Sequence, residues 1–133
     1  MDEVIRRLKE GPYGSLATVD NGRPRVRPFG FMYEEEGKLY FCTNSNKEVY
    51  KQLQAAPYVE YSVTSRDMIT VRISGEVKFC EDRSKKERAL NASELVKRIY
   101  QSADNPIFKV FYIEHGSVTV SDLSNQSQRK LEF

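Results

Sequence analysis

The sequence predicts a mostly β protein, an antiparallel barrel or sandwich with added helices, on three observations. Six or seven short apolar runs follow one another at close spacing, turn-forming residues separate them, and helical stretches are inserted among them rather than alternating with them. A chain of 133 residues is the size of one domain and buries roughly two thirds of its unfolded surface on folding. We therefore expect one domain over residues 1–133.

The elements follow in order. Asp2 caps a short amphipathic helix with Val4, Ile5 and Leu8 on one side, and Gly11-Pro12 stops it. Tyr13 to Val19 reads as a strand ending at Asp20-Asn21-Gly22, a strong hairpin signal. The returning run RPRVRPFGFMY contains two prolines, each lacking a backbone donor, which places it at an edge or bulge. Glu34 to Lys38 is a turn whose three glutamates read as a solvated tip, and KLYFCT is the next strand. Lys47 to Ala56 is helical, with Val49, Leu53 and Ala56 in phase, until Pro57 ends it.

Alternation resumes in YVEYSVTS and again in MITVRISGEVKF, where Gly75 marks a bend or bulge. DRSKKERALNASELVKRIYQ is the long helical stretch, divided near Asn91 to Ser93, with Ser93 capping the second half. Two further strands, Ile107–Glu114 and Gly116–Leu123, join at a turn at His115-Gly116, and the polar tail SNQSQRKLEF is a loose or edge segment. In IFKVFYI both faces are apolar: Ile107, Phe111 and Ile113 on one, Phe108, Val110 and Tyr112 on the other. A small barrel has one inside, so the second face needs a cover. A twofold partner chain is the economical one, and we expect a homodimer; the helical stretch from 84 to 101 is the alternative cover.

Composition removes several functional classes. Twenty-one Lys and Arg against 19 Asp and Glu leave a formal charge of +2, too small an imbalance to point to nucleic acid. Cys42 and Cys80 sit singly in apolar runs and read as reduced strand residues rather than metal ligands or a disulfide. No run has the length of a signal peptide core or a membrane span, so a cytoplasmic chain with no membrane partner is expected. No Ser-His-Asp set, metal-spaced cluster or glycine-rich phosphate loop is present, and His115 reads as a surface turn residue.

Two stretches suggest an anion site. TNSNKEVYKQL places Thr43, Asn44, Ser45, Asn46 and Lys47 at a helix start near Ser45 or Asn46, where free backbone N–H groups and the helix dipole favour negative charge. A lysine in the first turn opposes that dipole unless an anion lies in front of it. In RPRVRPF, a period of two puts Arg23, Arg25, Arg27 and Phe29 on one face. Pairing of this run with KLYFCT through the EEEG turn would bring Arg27 and Thr43 to the same end of a hairpin, where a guanidinium grips phosphate bidentately and Lys47 adds a point charge.

These same stretches, SLATVDNGRPRVRPFGF followed by LYFCTNSNKEVYKQL, resemble the pyridoxamine 5′-phosphate oxidase-like FMN-binding split-barrel family in its short single-domain bacterial form, over Gly14 to about Gly75. The resemblance implies a six-stranded split antiparallel barrel, a homodimer, and FMN in the groove between subunits. By similarity Arg27 and Lys47 would bind the FMN phosphate, Thr43, Asn44, Ser45 and Asn46 would line it, and Arg25, Val26, Pro28 and Phe29 would run beside the ribityl chain and ring. The chain departs from the pattern at Asn46, where larger relatives carry a second cation, and at Thr70, where a glutamine is usual.

The implied activity is that of an FMN-dependent oxidoreductase acting on a small molecule. The alternative is a non-catalytic flavin-binding, storage or sensor module. SQRKLEF does not reproduce the substrate-binding arginine segment of true pyridoxamine phosphate oxidases, and His115 does not match the histidine of nitroimidazole-reductase-like relatives. Neither specific activity is expected.

Overall fold

The computed structural model describes residues 1–11 and 13–133. Eight strands form one antiparallel sheet that curls into an open, split barrel: β1 (Gly14–Asp20), β2 (Arg23–Phe29), β3 (Tyr33–Glu35), β4 (Lys38–Asn44), β5 (Tyr58–Thr64), β6 (Ile69–Cys80), β7 (Phe108–Asp122) and β8 (Ser127–Glu132). The path runs β2-β1-β5-β6-β7-β4-β3, with β8 paired to β7. Strand number exceeds the expected six because the three-residue β3 and the polar tail both pair. Four helices accompany the sheet: α1 (Asp2–Glu10), α2 (Glu48–Ala55), α3 (Arg83–Asn91) and α4 (Glu94–Tyr100).

Local chemistry sets most boundaries. Gly11 closes α1 by donating its N–H to Arg7 O at 3.1 Å, while Pro12, the other half of the expected stop, lies outside the described residues. Asn21 and Gly22 both adopt positive φ, +51° and +79°, which lets a two-residue turn follow the strand twist. Glu36 and Gly37 repeat the device between β3 and β4. Asp82 caps α3 through the Ser84 and Lys85 N–H groups, and the Ser93 hydroxyl caps α4 by accepting from Val96 N. The register of β6 against β7 shifts between Gly75 and Val77, the bulge expected at Gly75.

Four sequence expectations are corrected. The chain does not turn at His115-Gly116; β7 runs unbroken through them, because β6 pairs along its length while its other edge is taken first by β4 and then by β8. RPRVRPFGFMY is two elements: β2 pairs with β1, and only β3 returns through the glutamate turn to β4, so Arg27 and Thr43 share no hairpin. The glutamate turn is not wholly solvated, since Glu35 forms ion pairs with Lys85 and Arg88 of α3 and thereby ties the hairpin to that helix.

The fourth correction concerns the second apolar face of β7. Phe108 and Val110 are fully buried against Ala89, Leu90 and Tyr100 of α3 and α4, together with Tyr33 and Tyr40. The helical stretch is therefore the cover, and the argument from this face to a partner chain does not hold. Phe111 and Ile113 point into the barrel with Leu16, Phe41, Tyr61 and Ile73, while α1 and α2 pack Val4, Leu8, Val49 and Leu53 onto the same core. Each such fully buried leucine stabilises the fold by about 1.5–3 kcal/mol.

Candidate functional site

Three elements converge beside the barrel mouth. The C-terminal end of β2 supplies Pro28 and Phe29, the end of β4 supplies Cys42 and Thr43, and Lys47 stands at the start of α2. With Leu95, Val96, Ile99 and Tyr100 of α4 as the opposite wall, and Tyr13 and Met32 at its ends, they enclose a cavity of about 340 Å³, within the range of small-molecule sites. Phe29 is held in place by the hydroxyl of Tyr61, which donates to its carbonyl at 3.1 Å inside the barrel.

The segment from Thr43 to Lys47 is shaped by side chains. Asn44 donates its amide to the Tyr100 hydroxyl at 2.8 Å and accepts from Asn46 N at 3.0 Å, so one residue links β4 to α4 and forms the turn before α2. Ser45 N donates to Ile107 O at 2.9 Å and Lys47 N to Asn44 O at 3.2 Å, which occupies these backbone donors within the chain. The helix begins later than expected: Lys47 is its N-cap, in an extended conformation and without a side-chain cap, rather than a first-turn residue. Its ammonium has no carboxylate partner among the described residues.

Thr43 carries a further signal. Its side chain is 2% exposed, and its hydroxyl is buried with no hydrogen-bond partner among the described residues. A buried, unpaired hydroxyl costs about 1–3 kcal/mol, a cost carried here on the β4 wall of the cavity. The Cys42 thiol beside it is pushed up to about 12 by burial, with Lys47 opposing weakly, so it is not a thiolate nucleophile.

Arg27 is not part of the cavity lining; it turns from β2 toward β1 and α2. It donates to Thr18 Oγ1 at 2.8 Å, to Gln52 Oε1 at 2.7 Å and to Leu16 O at 3.3 Å. Burial lowers its proton affinity, and no carboxylate offsets this among the described residues. Gln52 stands five positions after Lys47, on the helix that Lys47 opens, and so ties Arg27 to α2.

Of the ten residues singled out from the sequence, Pro28, Phe29, Thr43 and Lys47 line the cavity, Asn44 braces it through Tyr100, and Arg27 is outside the lining. Arg25 turns to the solvent end of the hairpin, where its Nε donates to Asp20 at 3.1 Å. Val26 is 68% exposed on the outer face of β2. Ser45 and Asn46 shape the loop without lining the cavity. Thr70 hydrogen-bonds to Thr64 at 2.7 Å on the β5–β6 hairpin and does not reach the cavity. His115, 82% exposed on β7, does not reach it either.

Sequence reasoning missed the α4 wall and the Thr18–Gln52 pair. The signal for the first was present: Leu95/Ile99 and Val96/Tyr100 are two apolar i,i+4 pairs on one short helix, more apolar surface than a single core face uses. For the second no sequence signal exists, because the contact joins residues 34 positions apart.

The open antiparallel sheet with its four helices is a split barrel. The chain belongs to the pyridoxamine 5′-phosphate oxidase family, whose model matches residues 1–121. It is similar to a NimC/NimA family protein from Clostridium acetobutylicum, with 37% identity, a TM-score of 0.88, and coverage of 98% of this chain and 93% of that one. General stress protein 26 from Bacillus anthracis superposes with a TM-score of 0.77 at 19% identity, covering 97% of each chain. A pyridoxamine 5′-phosphate oxidase-related, FMN-binding protein from Nostoc punctiforme gives 0.66 at 16% identity, covering 99% of this chain and 93% of that one. At those identities the last two show the fold alone. No curated protein matches the chain. No helix among the described residues is long and apolar enough to cross a membrane.

Proposed function

We propose that this chain is a single FMN-binding domain that works as a cytoplasmic homodimer and as an FMN-dependent oxidoreductase on a small molecule. The observation that carries the reading is the cavity bordered by Lys47 and by Pro28 and Phe29, which directly follow Arg27 on β2, with Thr43 on its wall. In this reading Arg27 and Lys47 neutralise the FMN phosphate, a doubly charged group suited to one guanidinium and one ammonium. Thr43 lines the ligand on the β4 side, Asn44 fixes the loop, and Pro28 and Phe29 border the ribityl chain and ring.

The exposed flank of the cavity, Tyr13, Leu95 and Ile99, is the rim that a second copy would cover. The FMN-binding description of the Nostoc punctiforme protein, a relative in fold, supports the choice of cofactor. FMN when bound supplies hydride transfer at its own N5, so the protein needs to bind, orient and exclude water more than to move protons. The lining agrees: among the described residues it contains no histidine and no carboxylate. The same lack favours one other reading, a flavin store or sensor without turnover.

An absorption spectrum of the purified protein, followed by titration with FMN, tests the assignment. Saturable binding is expected, weakened by about 1.5 kcal/mol or more in Lys47→Ala and little changed in Arg25→Ala, whose charge is already spent on Asp20. Absence of saturable uptake by folded protein refutes the site. Reduction of the bound flavin by NADH or NADPH and reoxidation by acceptors separates enzyme from store.

A further inference from the structure

Arg25 and Arg27 stand two residues apart on one face of β2, yet only one of them is neutralised. Arg25 meets the Asp20 carboxylate at 3.1 Å. Arg27 meets neutral oxygens only, and two of its three acceptors are themselves bonded: the Thr18 hydroxyl donates to Gln52 Oε1 at 2.6 Å, closing a triangle with the guanidinium. Thr18 and Gln52 are 2% and 8% exposed, so the triangle is fixed in the protein interior. A guanidinium has only donors, which settles that the side-chain oxygen of Gln52 faces it.

The residue type at 52 matters more than its shape. Glutamate would present the same oxygen at the same place with a full negative charge, and would neutralise Arg27 from within the protein. The amide directs the guanidinium and leaves its charge available. Thr18 limits the geometry further, because its hydroxyl spends its one proton on Gln52 and so offers Arg27 a lone pair.

We propose that Gln52, supported by Thr18, is a positioning residue that aims Arg27 at an anionic ligand group while sparing its charge. The inference rests on the reading that Arg27 and Lys47 hold the phosphate of FMN, and it adds that phosphate selectivity is set by an uncharged side chain on α2. Gln52 needs no contact with the ligand to do this.

The test compares FMN with riboflavin, which lacks the phosphate, in the parent, Gln52→Glu, Gln52→Leu and Thr18→Val, with thermal unfolding recorded for each. In Gln52→Glu the midpoint of unfolding is expected to equal or exceed the parent's, while FMN affinity falls by about tenfold and riboflavin affinity stays within about twofold. Gln52→Leu and Thr18→Val lose part of the same FMN-to-riboflavin ratio, at least about threefold. If Gln52→Glu keeps the parent's ratio, or loses both ligands equally, the positioning role is overturned. Should that variant fail to fold, an unchanged ratio in Thr18→Val overturns it instead. A parent that binds FMN no tighter than riboflavin refutes the phosphate reading itself, a result distinct from any seen only in the variants.

Discussion

The hydroxyl of Tyr61 accepts from Gly14 N at 3.0 Å and donates to Phe29 O at 3.1 Å, so one fully buried phenol joins the start of β1 to the end of β2. These are the places where pairing of the first two strands stops and the chain departs toward the cavity. Burial raises the phenol's pKa, with the Gly14 N–H contributing in the opposite direction, so it remains a donor at neutral pH. Tyr61→Phe keeps the ring against Phe41 but leaves a buried donor and a buried acceptor unpaired. The expected loss is about 1–3 kcal/mol, read as a lower denaturant midpoint with an unchanged slope.

Gly75 faces Gly116 across β6 and β7 beside the bulge. A Cβ on Gly116 would lie 2.2 Å from the Ser74 carbonyl oxygen, and one on Gly75 would lie 2.6 Å from Ile113 Cγ2 and 2.9 Å from His115 O. Backbone cannot yield as a flexible side chain does, so Gly116→Ala is expected to cost about 2 kcal/mol or more. Chemical denaturation of that variant measures it, and stability equal to the parent's contradicts the close approach.

The two hairpin turns, the Ser93 division of the helices and the bulge at Gly75 were legible in the sequence because each is written in adjacent residues. Strand order was not. The arginine-rich run and KLYFCT are neighbours in the chain, and the inference that they pair failed because Gly30 to Met32 interrupt the strand and β1 claims β2 first. The site shows the same division. Thr43 and Lys47, which line the cavity, were singled out from local chemistry, whereas Arg27's partners depended on α2 crossing β1, a contact no local pattern encodes. Val26 was assigned to the site by resemblance alone; it is 68% exposed and shares its face of β2 with Pro28, which lines the cavity.

Alkaline pH is expected to unfold the protein cooperatively, and the sign follows from the buried acids. Burial raises the pKa of the Cys42 thiol from an ordinary 9.0 to about 12, and raises those of the Tyr33, Tyr40 and Tyr100 phenols above an ordinary 10.0. Tyr61 shifts in the same direction. Each group keeps its proton in the native state at pH values where the unfolded chain has lost it. The native state thus binds more protons, and stability falls as pH rises. This contribution is complete below the ordinary thiol value, declines first through Cys42 as pH passes 9.0, and steepens once the phenols of the unfolded chain ionise above 10.0. Denaturant midpoints are therefore expected to be level from roughly pH 7 to roughly pH 8.5 and to drop clearly by roughly pH 10.5. Cys42→Ala removes the earliest part of the decline and leaves the later part, carried by the phenols. Equal midpoints at the two ends of that range show that these side chains are not sealed from water, and with them the packing of α3 and α4 over β4 and β7 would have to be redrawn.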